Sequence, residues 1–339
     1  MLRLFYRWGV SSMVHAKNIA LESITIHRWK DGSVISTMPV NKAYGYQIVV
    51  HRADLYNALI TKALVLENIQ LRPATITLID NTVVTGDVVV AADGIKSVLR
   101  GEILGSSAMQ PIPTGDAAYR ILLSREMKEK DPELKALLDN PIATRWVGPH
   151  RYIIAYPVRN HELFNIVLLY PDYHSVQLLN LVKEDEVLEW KLCSYPSLDS
   201  WTKGRVALLR DACHLILPYV AQGAAQAAEN TAALAILLSV ILSRHAIQEA
   251  LRVYEMSRKP RAEGIQQWGM TNRTILYLPD GPEQEACDEQ FLASITSAAN
   301  PDKWANAESQ KLLWGWDTEG HALATWTENT RSVYLESSL

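Results

Sequence analysis

The chain has 339 residues, 48% of them hydrophobic and 21% charged, so it can bury a sizeable core in one large or two coupled domains. Its formal net charge is −4 at pH 7, and its lysines and arginines are scattered along the chain. Because a phosphate backbone needs a basic surface, this charge pattern argues against a nucleic-acid partner.

Cysteine usage and hydropathy point to a protein of a reducing, cytoplasmic compartment. The three cysteines, Cys193, Cys213 and Cys287, form no CxxC pair, which argues against a disulfide framework or a zinc site. The first twenty residues lack the uninterrupted apolar segment of a secretory signal. The most apolar run, 231–242, is too short to span a bilayer, and we interpret it as a buried core helix.

Two elements are predicted near the start of the chain. The segment "SITIHRWKDGSVIS" alternates polar and apolar residues around Asp31-Gly32, which predicts a β-hairpin with a two-residue turn. In "HRADLYNALITKAL" the leucines recur at helical spacing. Asp54 would lie in the first turn of that helix, where a carboxylate complements the helix dipole.

A short buried strand is predicted next, after a strand and a turn at Asn81. Residues 87–91 centre on three consecutive valines, a composition typical of a strand. This strand would end at Asp93-Gly94, and a helix would begin near Ser97.

Between about Gly115 and Trp201 the pattern of predicted elements changes. The segments "RYIIAYPV" and "ELFNIVLLYP" indicate strands, and "MKEKDPELKALLDN" indicates an exposed helical excursion, so we predict a second lobe here. From Gly204 the chain returns to a buried strand and an apolar helix. Residues 246–270 predict a long amphipathic helix containing Pro260, whereas the tryptophan-rich C-terminal segment has no clear period.

Two strand-to-helix junctions share one arrangement. Asp93 in "VVVAADGIKSVLR" and Asp211 in "VALLRDACHLILPYVAQGAA" each follow the carboxyl end of an apolar strand. Open α/β sheets bind ligands at this end of their strands. An Asp in such a place also caps the following helix without any ligand, so each junction by itself leaves both interpretations open.

The pair of junctions resembles the DG and GD motifs of the FAD-dependent aromatic hydroxylases, the salicylate-hydroxylase-like monooxygenases of fungal secondary metabolism. The similarity follows the family's order from "LFYRWGV" through "VVHRADLYNAL" to "RKPRAEGIQ" and "YLPDGPEQ", and covers most of the chain. It implies a mixed α/β fold: an incomplete Rossmann-like FAD-binding domain with an inserted sheet-based substrate domain and C-terminal helices. The implied boundaries are 1–110 and 202–275 for the FAD-binding part, 111–201 for the substrate lobe and 276–339 for the C-terminal tail.

The resemblance also implies roles for four residues at the cofactor. Arg52 matches an arginine that contacts the flavin, and Asp211 matches the aspartate that hydrogen-bonds the ribityl chain of FAD. Gly223 and Ala224 match small residues at a helix N-terminus close to the isoalloxazine ring. Backbone N–H groups at such a helix end can stabilise negative charge on a reduced flavin.

The catalytic and substrate roles follow from the same resemblance. Arg120 and Tyr152 match positions where relatives place catalytic or substrate-facing polar groups. The implied cofactors are FAD and NAD(P)H as reductant, and the implied substrate is a small hydrophobic or aromatic metabolite. A homo-oligomer remains compatible with the sequence.

The chain departs from the family pattern at several places. No three of its glycines have the Gly-x-Gly-x-x-Gly spacing of a dinucleotide-binding turn, so the first βαβ unit is expected to be absent. Arg210 precedes Asp211 where the family has Gly, a residue used for its conformational freedom. Ala91 and Asn230 are milder replacements, of Gly and Asp respectively.

Three functions remain open at this point. The first is an FAD-dependent monooxygenase that hydroxylates or epoxidises a secondary metabolite. The second is a flavin-independent isomerase or cyclase, in which Arg120, Tyr152 or His214 performs acid–base chemistry. The third is a non-catalytic relic that binds a metabolite. His214 also has a purely structural interpretation as a core histidine.

Overall fold

The computed structural model has a mixed α/β fold, as predicted, and describes residues 1–40, 42–65, 86–105, 110–128, 132–171, 187–294 and 300–336. The turn predicted at Asn81 and the strand before it lie outside these residues. Side-chain packing and sheet pairing below refer to the described parts of the chain.

The strands are described first because they position both junctions. They are, in chain order, β1 Asn18–Ala20, β2 Ser23–Arg28, β3 Val34–Pro39, β4 Ile48–Val50, β5 Val89–Ala91, β6 Ile112–Ser124, β7 Ile142–Gly148, β8 Arg151–Val158, β9 Leu163–Pro171, β10 Val187–Ser194, β11 Thr202–Lys203 and β12 Val206–Leu208.

The helices lie mainly in the C-terminal third. They are α1 Leu2–Arg7, α2 Ser11–His15, α3 Arg52–Leu64, α4 Leu99–Leu104, α5 Arg125–Lys128, α6 Pro132–Asp139, α7 Gly223–Val240, α8 Ile247–Leu276, α9 Pro282–Ala293, α10 Ala307–Trp314 and α11 Thr318–Glu336. Short 3₁₀ helices occur at Lys42–Tyr44, Arg210–Ala212, Pro218–Val220 and Arg244–Ala246.

A seven-stranded sheet in the order β10-β6-β9-β8-β7-β2-β3 forms the lobe. It is antiparallel except where β2 runs parallel to β7. The strands predicted in "RYIIAYPV" and "ELFNIVLLYP" are confirmed as β8 and β9. The early hairpin therefore pairs with the lobe, although the boundary prediction placed it in the FAD-binding part; the division into domains stays a prediction.

The hairpin itself is confirmed as β2 and β3, but the predicted two-residue turn is wrong. Five residues, 29–33, lie between the two strands, and the Arg28 N–H donates to the Ser33 carbonyl across this loop. A register shift between Ile26 and His27 accompanies the longer loop, and Gly32 adopts a φ of +72° within it. A bulge of this kind admits extra residues at the end of a hairpin.

A second, three-stranded sheet has the order β11-β12-β5. β12 runs parallel to β5, with Val206 opposite Val89 and Leu208 opposite Ala91. Because the carboxyl ends of parallel neighbours meet at one edge, the two Asp junctions of the sequence lie at the same edge of this sheet.

Two long helices cover this sheet. The core helix predicted over 231–242 is confirmed as part of α7, although that helix begins earlier and ends at Val240, leaving Leu242 fully exposed. The amphipathic helix is confirmed as the 30-residue α8, with Pro260 inside it. Both helices pack against the sheet through buried residues such as Leu237 and Tyr254. In the described residues no helix combines the length and apolar character needed to cross a membrane.

Candidate functional site

The Asp211 carboxylate lies in the 3₁₀ helix directly after β12, with its side chain 35% exposed. Burial raises the pKa of Asp211, while the positive charges of Arg210 and Arg52 lower it and offset part of this effect. Since the charge of Arg52 acts on Asp211 from the start of α3, the fold brings together two residues that are 159 positions apart in the sequence.

The two junction aspartates differ in what they bind. The Asp93 Oδ2 accepts hydrogen bonds from the backbone N–H of Val98 (2.9 Å) and of Leu99 (3.4 Å), so this residue caps α4. Among the described residues, no backbone N–H donates to the Asp211 carboxylate, and its ion-pair partner is Arg210, at 4.0 Å. The capping interpretation therefore fits Asp93, whereas Asp211 retains its acceptor capacity for a ligand.

Arg210 adopts a backbone conformation that favours glycine. Its φ is +64°, where a β-carbon crowds the backbone. The Arg210 carbonyl accepts hydrogen bonds from the N–H groups of Cys213 and His214, both at 2.9 Å, and these bonds hold the turn. The departure noted in the sequence is thus a strained residue in a turn that the fold still requires.

Replacing Arg210 with glycine is expected to stabilise the protein by about 1 kcal/mol, because relief of the left-handed strain exceeds the entropy that glycine gains on unfolding. Urea denaturation of R210G measures the change. As a control, Lys203→Gly on β11, where φ is not positive, should lose stability. A less stable R210G would show that the arginine side chain contributes more than its backbone conformation costs.

The N-terminus of α7 is open. The helix begins at Gly223 after Gln222, and within the described parts of the chain no side-chain hydrogen bond caps it. Ala224 is exposed, and a β-carbon on Gly223 would meet no atom of the described residues within 4 Å, apart from its chain neighbours and its own helix backbone. Free N–H groups at a helix start attract electronegative ligand atoms, so this end of α7 can receive the polar edge of a flat ligand.

Arg100 and Tyr195 stabilise the loops that carry Asp93 and Asp211. The Tyr195 hydroxyl donates to the Asp211 carbonyl (2.5 Å), and the Arg100 guanidinium lies 4.6 Å from the centroid of the Tyr195 ring. Arg100 also donates to the Ile95 carbonyl (2.7 Å) and the Ala212 carbonyl (3.4 Å). One buried arginine thus connects the loops that carry Asp93 and Asp211.

His214 lies in the core behind the same loop and is 1% exposed. The Asn230 Nδ2 atom donates to His214 Nε2 (2.6 Å), because Asn230 Oδ1 accepts from the Arg258 Nε–H at 2.9 Å. This orientation of the amide assigns the imidazole proton to Nδ1, for which the described residues offer no hydrogen-bond partner. Burial and the nearby Arg258 charge lower the pKa of His214 to about 3, so the ring is neutral.

Sequence reasoning missed the charged network that joins α7 to α8. The buried Glu229 carboxylate forms salt bridges with Arg258 Nη1 at 2.9 Å and with Arg261 Nε at 2.8 Å. Burial raises the pKa of Glu229, but the Arg261 hydrogen bond and the arginine charges outweigh it and lower that pKa overall. Gln226, which accepts from Arg258 (2.6 Å), precedes Glu229 by one helical turn, and the two arginines have the same spacing. The same i, i+3 spacing of polar residues on the one helix and of arginines on the other is the sequence pattern from which this network could have been predicted.

Acid should destabilise the protein through His214. Since the unfolded ring has a pKa of about 6.5 and the folded ring about 3, only the unfolded chain takes up this proton as pH falls between these values. The free energy of unfolding should drop by up to about 1.4 kcal/mol per pH unit below 6.5. Urea denaturation at pH 7.0, 6.0 and 5.0 measures the slope for wild type and for His214→Gln.

The variant H214Q should have a shallower slope than wild type over this range, while a change of the exposed, non-titrating Asn57 to Gln should leave the slope unaltered. Equal slopes for wild type and H214Q would contradict the depressed pKa.

Arg120 and Tyr152 lie on the same face of the seven-stranded sheet but in different surroundings. Arg120 on β6 is exposed. Tyr152 on β8 is 2% exposed, and its hydroxyl accepts a hydrogen bond from Arg145 Nε at 3.0 Å. The Tyr152 ring packs against Tyr219, in the segment that leads from Asp211 to α7. The lobe face therefore contacts the segment between Asp211 and α7 through Tyr152, while Arg120 remains accessible.

A buried ion pair fastens the C-terminal segment to this face. Arg145 on β7 pairs with Asp302, and both side chains are 0% exposed. Burial lowers the pKa of Arg145, but the charge of Asp302, the Tyr152 hydroxyl and the hydrogen bonds to both together outweigh burial and raise that pKa overall. Asp302 also accepts from Asn272 Nδ2 at 2.6 Å and from the Trp304 N–H at 2.9 Å. The tryptophan-rich segment, for which the sequence predicted no element, is thus held against the lobe sheet by Asp302.

The sequence of this chain is similar to those of flavin-dependent enzymes. A family described as "FAD binding domain" matches residues 179–269. The FAD-dependent monooxygenase atnJ of Arthrinium sp is 36% identical, over 94% of this chain and 83% of the relative. The 3-amino-4-hydroxybenzoate 2-monooxygenase PtmB3 of Streptomyces platensis is 27% identical, over 89% of this chain and 82% of the relative.

The fold is also shared with solved structures. A salicylate hydroxylase in complex with substrate superposes with a TM-score of 0.76, over 95% of this chain and 88% of that chain. Its sequence identity to this chain is 21%, so the comparison bears on architecture.

Proposed function

The chain belongs to the FAD-dependent monooxygenases, and from this membership we propose that it hydroxylates or epoxidises a small aromatic or hydrophobic secondary metabolite, with NAD(P)H as reductant. The observation that carries the proposal is the half-buried Asp211 carboxylate, which caps no helix among the described residues and follows β12 in the loop that leads to the open N-terminus of α7. Acid–base isomerisation by Arg120, Tyr152 or His214 would not require either of these two features.

The residues at the proposed flavin end of the site fit FAD, whereas the sequence has no Gly-x-Gly-x-x-Gly turn for its pyrophosphate. We propose that Asp211 accepts a hydrogen bond from a ribityl hydroxyl and that Arg52 contacts the flavin from α3. The space over Gly223 and the exposure of Ala224 support a flat ring at this helix end, since nothing there blocks close approach. The uncapped N–H groups of α7 would stabilise negative charge at the ring edge.

FAD, when bound, supplies the transfer of electrons from NAD(P)H to dioxygen and of one oxygen atom to the substrate. The chain's own part is to bind and orient. We propose that the sheet face carrying Arg120 receives the substrate and that Arg120 contacts it directly. Tyr152, buried against Tyr219 and bonded to Arg145, would shape that face. The aminohydroxybenzoate named for one relative supports an aromatic substrate.

Location and assembly complete the proposal. We propose a cytoplasmic enzyme, which its three free cysteines support, since such thiols persist in a reducing compartment. A homo-oligomer is the assembly to be sought by gel filtration with light scattering.

The absorption spectrum of the purified protein, recorded after adding excess FAD and removing unbound cofactor, tests the function. We expect retained flavin bands near one FAD per chain. The loaded protein should then oxidise NADH or NADPH and incorporate oxygen from O₂ into an aromatic acid. A folded protein that retains no flavin would contradict monooxygenation by this chain.

A further inference from the structure

The first turn of α3 contains a buried carboxylate, that of Asp54, two residues after Arg52. From the sequence it is expected only to complement the helix dipole. In the structure it accepts two hydrogen bonds from Arg159, from Nε at 2.7 Å and from Nη2 at 3.0 Å. Lys17 Nζ donates to the same carboxylate at 3.2 Å. Asp54 therefore joins three parts of the chain, namely the connection between α2 and β1, the start of α3 and the turn between β8 and β9.

The turn that supplies Arg159 has a strained backbone. Arg159, Asn160 and His161 have φ values of +50°, +51° and +66°, in the left-handed region where a β-carbon crowds the backbone. Such a conformation persists only where surrounding contacts hold it. Asp54 holds the Arg159 guanidinium, and Asn160 Nδ2 donates to the Ala16 carbonyl at 3.0 Å. The turn is thus fixed against the region of α2 and α3.

The cations around Asp54 outnumber its single negative charge. Arg159 and Lys17 both pair with it, and His51 Nδ1 lies 3.9 Å from its Oδ2 atom. The hydrogen bond from Arg159, together with that from Lys17, lowers the pKa of Asp54 although burial raises it, so the carboxylate stays charged. A carboxylate that only complements a helix dipole needs no such partners. The bidentate, charge-assisted pair fixes the direction of the helix start as well as its position.

Arg52, the first residue of α3, depends on this fixed point. Its side chain is exposed, and its positive charge lowers the pKa of Asp211, so the charge acts toward the proposed flavin end of the site. The apolar contacts of α3 come later in the helix, through Leu55, Ala58 and Leu59. Because apolar packing is non-directional, the hydrogen bonds of Asp54 are what orient the first turn.

We propose that Asp54 is a positioning residue for the cofactor site, because its bonds to Arg159 and Lys17 hold the start of α3 so that Arg52 lies toward Asp211. The inference rests on the proposed function in so far as Arg52 contacts the flavin. The positioning itself acts between groups of the chain and is present without the cofactor. It also couples a turn of the lobe to the cofactor site through one carboxylate.

The test measures the pKa of Asp211 in the flavin-free protein, from the carboxyl NMR signals of a protein labelled with carbon-13 aspartate. The signal that Asp211→Asn removes is assigned to Asp211. Arg52→Gln removes a positive charge and should raise the pKa of Asp211. Asp54→Asn should raise it too, because Arg52 moves away. The sign is decisive, since removing the negative charge of Asp54 with Arg52 in place would lower the pKa of Asp211. In the R52Q background, D54N should cause no further rise.

Two further variants complete the test. Arg159→Lys keeps the charge but loses the bidentate geometry, so it should raise the pKa of Asp211 by a smaller amount than D54N. If D54N does not fold, R159K decides in its place. Glu249→Gln removes a carboxylate that pairs with Arg252 on α8 and should leave the pKa of Asp211 unchanged. An unchanged or lowered pKa of Asp211 in the deciding variant, or a further rise in the R52Q background, would overturn the proposal.

Flavin binding is a separate readout. D54N should weaken FAD binding by about 10-fold in the wild-type background and have no effect in the R52Q background, because Asp54 acts through Arg52. Equal weakening in both backgrounds would mean that Asp54 acts only on the stability of the fold, against the proposal. A protein in which the pKa of Asp211 responds as expected but which binds no FAD would contradict the proposed function and support the positioning by Asp54.

Discussion

Replacing Asp211 with alanine is expected to weaken FAD binding by about 10- to 100-fold, the worth of one hydrogen bond to a charged group. Among the described residues this carboxylate caps no helix, and it is half-buried at a strand end, so its loss removes the proposed ligand contact and, within the chain, only the 4.0 Å ion pair with Arg210. Retained flavin absorbance after gel filtration, and titration calorimetry with FAD, measure the effect.

Two variants define what the carboxylate contributes. Asp211→Asn keeps an acceptor oxygen but removes the charge, so it should bind FAD with intermediate affinity. Asp280→Ala changes an exposed loop aspartate and should leave binding unchanged. Full FAD occupancy in D211A would show that this residue is not a cofactor contact.

Replacing Asp302 with alanine should cost about 3–5 kcal/mol of unfolding free energy, because it leaves the Arg145 guanidinium buried without a counter-charge. Both side chains are inaccessible to solvent, and Asp302 also accepts hydrogen bonds from the Asn272 amide and the Trp304 backbone N–H. Chemical denaturation monitored by tryptophan fluorescence measures the loss, since Trp304 lies in the affected segment.

An exposed pair provides the control for this buried one. Asp139, which is 38% exposed, pairs with Arg125 and Lys135. Asp139→Ala should cost less than about 1 kcal/mol. The double variant of Asp302→Leu with Arg145→Met should recover most of the stability, because it removes both charges from the interior. A D302A protein as stable as D139A would contradict the importance of the buried pair.

The sequence predicted correctly those features that depend on neighbouring residues. The amphipathic period over 246–270, the strands of the lobe and the helix at "HRADLYNALITKAL" were all confirmed, because side-chain period and backbone propensity act within one element. The two Asp junctions were also recognised, since strand, turn and helix follow one another directly. The length of the hairpin loop was wrong because a bulge extends it.

Features that depend on distant partners escaped prediction. Nothing near Arg145 in the chain points to Asp302, 157 positions away. The parallel pairing of β2 with β7, which joins the hairpin to the lobe, is equally non-local. Asp54 and Arg159 are 105 positions apart, and their pairing depends on a turn of the lobe that meets the start of α3.

The sequence by itself determined the class of fold, the two junctions and, through resemblance, the flavin-enzyme family. Only the tertiary structure separated Asp93, which caps α4, from Asp211, whose carboxylate stays available, and distinguished the accessible Arg120 from the buried Tyr152. The physical reason is that a side chain's chemistry is set by its burial and its partners. Those partners come from elements that meet only when the sheets and helices pack.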